Sequence, residues 1–313
     1  MRIISLIPSA TEIIAALDLR DELAGISHEC DFPPYVEDLP RVTYCPIYNA
    51  GLSSLEIDQA VRDSLARGDS LYQIHSALVM DIRPDIIVTQ GLCDVCAIGY
   101  RSVEDSLSGA VHQSPHAGNI LPDPPALVNL EARSLTDIYG TIMQVADAAG
   151  VPERGERLID GLKAREDIVR TAVAQTVDRP RVLFLEWLDP AFGPGHWTPE
   201  LIEIAGGVPV AGAAGVPSTT LDWAKAIESQ PEVIFIACCG YDLEKTEKDL
   251  ATLKAVTGWD DLPAVRNNRV YMGDGNQYFN RPGPRIIDSL EMLAKALHPE
   301  LEGKIGGPAA VLV

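Results

Sequence analysis

Two cysteines three positions apart, Cys93 and Cys96, follow an apolar run that ends at Thr89. Such a pair suits thiol–disulfide exchange or a soft metal site, and His28, Cys30 and Cys45 are the side chains that could complete the latter. With no second CxxC at zinc-ribbon spacing, three readings stay open: a transition metal ion held by Cys93, Cys96, Cys30 and His28, thiols lining an organic-ligand pocket, or plain packing. The adjacent Cys238 and Cys239 are poorly placed to bridge, so Cys238 is expected in a core and Cys239 toward a cleft.

A second concentration of chemistry is the stretch Asp274 to Arg285. Tyr278, Phe279 and the distant Trp187 could wall a flat ligand, Asn276, Gln277 and Asn280 supply uncharged donors and acceptors, and Arg281 or Arg285 could take a carboxylate or phosphate. The bland alternative is a loop stiffened by Pro282 and Pro284 that merely starts a helix. No nucleophile elbow, Walker loop or GxGxxG after a first strand is present, so a conventional hydrolase or nucleotide site is not expected. His75, His112, His116 and His298 read as ordinary surface or partly buried histidines.

The 313 residues are enough for about two domains, and 46% of them are hydrophobic, which excludes a disordered or disulfide-stapled chain. Against 25 Lys and Arg stand 45 Asp and Glu, a net charge of −20 that disfavours nucleic acid and anionic membrane surfaces. No run is long and apolar enough to span a bilayer, and MRIISLIPSATEII lacks the features of a cleavable leader. The expectation is a cytoplasmic protein, extracytoplasmic only if a leader has been removed.

These side chains need elements to hold them. Strands are predicted at Ile3 to Ile7, Leu23 to Ser27, Asp85 to Thr89 and Ala126 to Leu130, with a Ser9/Glu12 capping box starting a helix through Leu17. Apolar residues from Leu135 to Ala149 follow a helical period behind a Ser134/Asp137 cap, and a second helix from Pro152 is predicted to run to about Val177. Strands follow at Arg181 to Leu188, Val233 to Cys238 and Arg269 to Met272, and helices at Thr198/Pro199, Leu243 to Lys254 and Arg285 to Leu297. The pattern predicts an α/β chain: two Rossmann-like lobes with parallel sheets, residues 1–130 and 179–313, joined by a helical linker, 131–178, that contains a long backbone helix. Ligands of open α/β sheets bind beyond the carboxyl ends of strands. The loops there, PSATE, HECDFPP, QGLCDVCAIG, EWLDPAFGPGHW, CCGYD and DGNQYFNRPGPR, hold five of the six cysteines.

IISLIPSATEIIAAL, LAGISHECDFPP, DIIVTQGL, VLFLEWLDPAF, PEVIFIACCG and YFNRPGPRIIDSLEML carry a likeness. The chain resembles, over essentially its full length, the helical-backbone metal-receptor class of substrate-binding proteins, nearest to the vitamin B12 binding branch and to a leaderless subgroup of it. That resemblance implies two α/β lobes bridged by one helix, no enzymatic activity, and cobalamin or a related corrinoid or metal chelate held between the lobes. It implies a ligand-side role for Ser9, Ala10, Thr11 and Glu12 and for Tyr278, Phe279 and Arg285, and an aromatic contact from Trp187. Phe192, His196, His28, Glu29, Gln90, Asn276 and Arg281 complete the expected ligand set, with His28, His196 or a thiol as candidates to approach the metal axially. The likeness departs at Glu29 and Gln90, where the branch has a tyrosine and a tryptophan. It departs again where one acidic transporter-docking position is Glu56 but its counterpart is Ala224, and residues 62–80 look inserted. Two rival functions remain: a metal-binding or thiol redox protein centred on Cys93 and Cys96, and a protein interaction module with a vestigial cleft.

Overall fold

The computed structural model describes residues 1–46, 52–67, 71–91 and 124–313, so Cys93, Cys96, His112 and His116 lie outside the described residues. The chain divides into two compact units: Met1–Gly51, Gln59–Glu131 and Ile138–Ile159 form one, and Leu52–Asp58, Ala132–Asp137 and Asp160–Val313 the other.

The first unit is built on β1 (Ile3–Ser5), β2 (Leu23–Ile26), a small antiparallel pair β3 (Thr43–Tyr44) and β4 (Gln73–Ile74), β5 (Ile86–Gln90) and β6 (Ala126–Leu130). β1, β2, β5 and β6 form one parallel sheet in the order β2-β1-β5-β6. β1 and β5 are buried along their whole length, which is why each opens on consecutive apolar residues, Ile3 and Ile4 or Ile86 to Val88, rather than an alternation. Ile4, Leu6, Val42, Val79 and Ile87 form a core on which Tyr72, Ile74, Leu78 and Ile82 pack. The stretch that looked inserted therefore supplies core side chains.

The helix Pro8–Ala16 corrects a prediction. It is capped at Ile7 with no side-chain cap, because Pro8 brings its preset φ and missing N–H to the first turn. Ser9 and Glu12 are consequently drawn inside the helix and buried, and the Ser9/Glu12 capping box does not form. At Leu135–Ala148 the predicted cap does form: Ser134 Oγ accepts from Asp137 N at 3.1 Å, and the Asp137 carboxylate takes the Arg133 N–H at 3.0 Å.

Gly150, at φ +71°, turns the chain into a second helix, Pro152–Val173, shorter than predicted. It ends in a tightened turn, with Gln175 N on the Ala172 carbonyl at 3.1 Å and Thr176 N on the Val173 carbonyl at 3.0 Å, where the Thr176 hydroxyl also donates at 2.8 Å. Its 22 residues span about 33 Å at the usual rise. Residues through Ile159 pack in the first unit and those from Asp160 in the second.

The second unit contains β7 (Arg181–Leu185), a hairpin of β8 (Trp187–Leu188) and β9 (Ala191–Phe192), β10 (Val208–Pro209), β11 (Val233–Ile236), β12 (Val270–Met272) and β13 (Val311–Leu312). Its sheet has the order β10-β7-β11-β12-β13, parallel except for the edge strand β13. The strand predicted as Arg181 to Leu188 breaks at Glu186, whose N–H pairs with the Phe192 carbonyl at 3.0 Å and so starts the hairpin. The helix predicted from Leu243 to Lys254 is two, Leu243–Asp249 and Ala251–Lys254.

Period-two alternation sorts this sheet's side chains. Leu183, Leu185, Ile234 and Ile236 face one core with Trp259 and Leu262. On the opposite face Phe184 and Phe235 stack at 5.5 Å and 11°, and Phe279 closes on both at 5.2 and 5.1 Å.

Both sheets reverse direction after their first strand: the chain goes to one side, β1 to β2 and β7 to β10, then crosses to the other, to β5 and to β11. In open α/β sheets a reversal of this kind marks the carboxyl-end position where ligands are met.

Candidate functional site

In the first unit the chain leaving β2 carries Ser27, His28, Glu29 and Cys30. One guanidinium pins this loop: Arg41 donates to the carbonyls of Ser27, His28 and Cys30 at 3.2, 3.1 and 2.7 Å. Thr43, in β3, then fixes the imidazole. Its Oγ1 lies 3.1 Å from the His28 backbone N–H and 2.8 Å from His28 Nδ1, and its own hydroxyl donates to Ser27 Oγ at 3.1 Å. Tyr72 flanks the ring at 5.7 Å, and Glu29 Oε1 is 4.0 Å from Nε2. Burial and the Arg41 charge lower the His28 pKa to about 4, so the ring is neutral at physiological pH.

Two residues expected to serve this region are turned inward. Thr11 is fully buried, its hydroxyl donating to Ser5 Oγ at 2.8 Å and lying 3.0 Å from Cys30 Sγ. Thr11 is thus a core strut rather than a ligand contact, and Cys30, also buried, is not turned to the surface to join His28 around a metal. Among the described residues no three His, Cys, Asp or Glu side chains cluster as a metal site. Ser9 is buried within its helix, and Gln90 is a buried end residue of β5 paired with Leu130. Glu29 is the more open group, with its side chain 40% exposed.

The second unit's site is built where β7, β11 and β12 end. Glu186, the first residue past β7, accepts from Gly195 N at 3.1 Å and from the hydroxyls of Ser218 and Thr198. Burial pushes its carboxyl up while these three donors pull it down. The predicted cap Thr198 is therefore spent on Glu186, and the helix Thr198–Ile204 starts from Trp197 without a side-chain cap. Glu186 thereby ties the β7 exit to the loop around Gly195 and His196 and holds Trp187 in place.

Trp187 donates from Nε1 to the Asp189 carbonyl at 3.1 Å and packs its ring 4.7 Å from Tyr241, which follows β11. Lys245 lies over the other side of the Tyr241 ring at 3.9 Å, its amine pushed down by burial. The aromatic pair thus bridges the point where the strand order reverses. Phe192 is partly exposed opposite Trp187 in the hairpin, with their Cα atoms in register.

The loop after β12 is drawn against the loop after β11. A Cβ on Gly275 would lie 2.0 Å from the Cys238 carbonyl oxygen, so only glycine permits this approach, and Asn276 N donates to the Tyr241 carbonyl at 2.9 Å. Asp274, raised by burial, accepts from Gln277 N at 2.8 Å. Arg281 is buried and donates to Asn276 Oδ1 at 2.9 Å, while Asn280 donates to the Gly275 carbonyl at 2.8 Å. Arg285 reaches Gln277 Oε1 at 3.3 Å and sits 5.5 Å from the Tyr278 ring.

Phe279 is a correction: at 1% exposure it fills the core beneath this loop with Phe184 and Phe235 and walls no ligand. Tyr278, one residue earlier, is partly exposed. Cys238 is buried, its thiol pushed up by burial, and Cys239 is exposed, the division expected of the pair. His196 stands at φ +50° with its ring 5.7 Å from Trp197, its pKa lowered by burial and by Arg133.

Sequence reasoning missed Arg41, Thr43, Glu186 and Lys245. Glu186, like Tyr241, had one signal, its place in a strand-end loop, EWLDPAFGPGHW or CCGYD. At the positions implied for docking, Glu56 accepts from Ser53 N and Oγ at 2.9 and 2.8 Å, and near Ala224 the acid present is Asp222, which caps the helix Trp223–Glu228.

Residues 116–276 match the family model described as periplasmic binding protein, and the chain belongs to that family. These are substrate-binding proteins of ABC transporters, not enzymes. Among curated relatives, the vitamin B12-binding protein of Vibrio cholerae is 24% identical over 307 residues, 95% of this chain and 88% of that one. An uncharacterized ABC transporter substrate-binding lipoprotein of Bacillus subtilis is 23% identical, over 96% of this chain and 80% of its own.

Among solved structures, the periplasmic heme-binding protein RhuT from Roseiflexus superposes with a TM-score of 0.69 at 24% identity, covering 95% of this chain and 98% of that one. The periplasmic vitamin B12 binding protein BtuF of Vibrio cholerae gives 0.61 at 23%, covering 95% and 96%. These likenesses establish the two-lobed fold of the class. Among the described residues, no helix is long and apolar enough to cross a membrane.

Proposed function

We propose that the protein binds cobalamin or a related corrinoid through its strand-end loops. The observation that carries this reading is the partly buried Trp187, backed by the buried Tyr241 at the strand-order reversal of the second sheet, with the loop of the partly exposed Tyr278 and Arg285 held to that point by the bond from Asn276 N to the Tyr241 carbonyl. An indole backed by a second ring, with the Tyr278 ring partly exposed, suits the face of a flat macrocycle, and the amides of Asn276 and Gln277 match the amide side chains that ring a corrin. Curated relatives named as vitamin B12-binding proteins favour the corrinoid over heme, which is the ligand in the titles of several structural neighbours.

Calorimetric titration with cyanocobalamin, dicyanocobinamide and hemin in parallel tests the proposal. Saturable one-to-one binding of a corrinoid, tighter than hemin, is the expected result. Tighter binding of hemin would reassign the ligand to a porphyrin, and no binding of any of the three would refute chelate binding.

A further inference from the structure

Of the two candidate site histidines, only one has its ring oriented by a hydrogen bond. Thr43 has a single hydroxyl proton and gives it to Ser27 Oγ, so toward His28 Nδ1, 2.8 Å away, it can only accept. Nδ1 must then carry the ring's proton, and the lone pair is left on Nε2. Nε2 is not among the buried side-chain atoms without a partner, so solvent reaches it on a side chain that is 22% exposed, and its charged neighbour Glu29 Oε1 is at 4.0 Å, beyond hydrogen-bond reach. The backbone beneath is held by the three carbonyl bonds of Arg41, and Tyr72 restrains the ring's flank. A fixed tautomer with a bare nitrogen on a rigid loop is what a metal-ligating imidazole requires.

We propose that His28 Nε2 is an axial ligand to the metal of the bound chelate, with Thr43 as the residue that sets its tautomer. The inference rests on the chelate-binding reading above. One side-chain ligand is enough, because the macrocycle fills the metal's equatorial positions, and the absence of a three-residue cluster among the described residues is no obstacle. The step is a ligand exchange: the bond from cobalt to a bound water breaks, the water leaves, and the Nε2 lone pair forms the new bond. No electron is transferred. The carboxylate of Glu29, close to Nε2, would offset the positive charge of the metal.

The test compares diaquocobinamide, whose axial waters exchange, with dicyanocobinamide, whose cyanides block both axial positions. Wild-type protein should shift the visible absorption bands of the aquo form. H28Q should lose the shift and weaken the aquo form about tenfold more than the dicyano form, with T43V giving a smaller loss in the same direction. Electron paramagnetic resonance of the wild type with cob(II)inamide needs no variant: the nitrogen splitting should change when histidine is labelled with nitrogen-15. Dicyanocobinamide bound by a wild type that shows neither the absorption shift nor the isotope effect would overturn the axial role and leave chelate binding intact. A shift that survives in H28Q would do the same. Failure of the wild type to bind either cobinamide would remove the chelate reading and this one with it.

Discussion

The loop after β2 and the loops after β7, β11 and β12 all leave the carboxyl ends of parallel strands in their own sheets, yet they are furnished differently. The first is made of hydroxyls and one imidazole: Ser27, Thr43 and His28, pinned by Arg41. The second is made of rings and amides: Trp187 against Tyr241, Tyr278 against Arg285, and Asn276 and Gln277 in a network with Arg281 and Asp274. Topology determines where a ligand can be met, and side chains determine what is met there. The first offers an oriented imidazole nitrogen, the second apolar rings and amides.

That contrast is most easily broken beneath the second region. Phe279 is core, so F279A should cost ~3–5 kcal/mol of stability through the cavity left against Phe184 and Phe235, read by urea unfolding. If Phe279 instead walled the ligand, binding would fall and stability would barely move.

Next in size is G275A. Its Cβ would meet the Cys238 carbonyl at 2.0 Å and force the loop after β12 away from the loop after β11, costing ~1–3 kcal/mol. Corrinoid binding should weaken with it, since Asn276 and Tyr278 move together. An unchanged melting temperature would show that the two loops are not packed as described.

W187A removes half of the aromatic pair and should weaken corrinoid binding by ~1–3 kcal/mol with a smaller effect on stability, as measured by calorimetry alongside thermal melting. Equal losses in H28Q and W187A for dicyanocobinamide would erase the distinction between the regions.

The smallest effect concerns protons. His28 titrates at about 4 in the folded chain, His196 also below its ordinary 6.5, because burial and a nearby arginine disfavour the charged ring in each. The unfolded chain therefore takes up protons that the folded chain refuses. The associated stability is complete above pH 6.5 and is lost as the pH falls from there toward about 4. H28Q should flatten the pH dependence of urea unfolding across that window, and the ring resonances of His28 should show a midpoint near 4.

Much of the fold was legible because fully buried parallel strands leave a plain trace. Ile86–Val88 and Val233–Ile236 are continuous apolar runs, and the Ser134/Asp137 cap and Gly150 punctuate the helices where expected. The misreadings share a cause, which is competition for the same polar group. Ser9 and Glu12 lost the role of a cap to Pro8, Thr198 lost it to a buried carboxylate, and the strand through Leu188 yielded to a hairpin at Glu186.

Less of the candidate site could be read. Tyr278 and Phe279 are neighbours of the same chemical type, and only the backbone's direction shows that one is rim and the other core. Arg41 and Thr43 act on His28 from a separate strand and its approach, at sequence separations of 13 and 15 that no local pattern signals.

The central claim is that these strand-end loops hold a corrinoid, and it is tested most directly by titrating wild-type protein and W187A with dicyanocobinamide in the calorimeter. The account predicts saturable one-to-one binding to the wild type and a weaker isotherm of the same stoichiometry for W187A. Identical isotherms for the two proteins, or no heat from either, would contradict it.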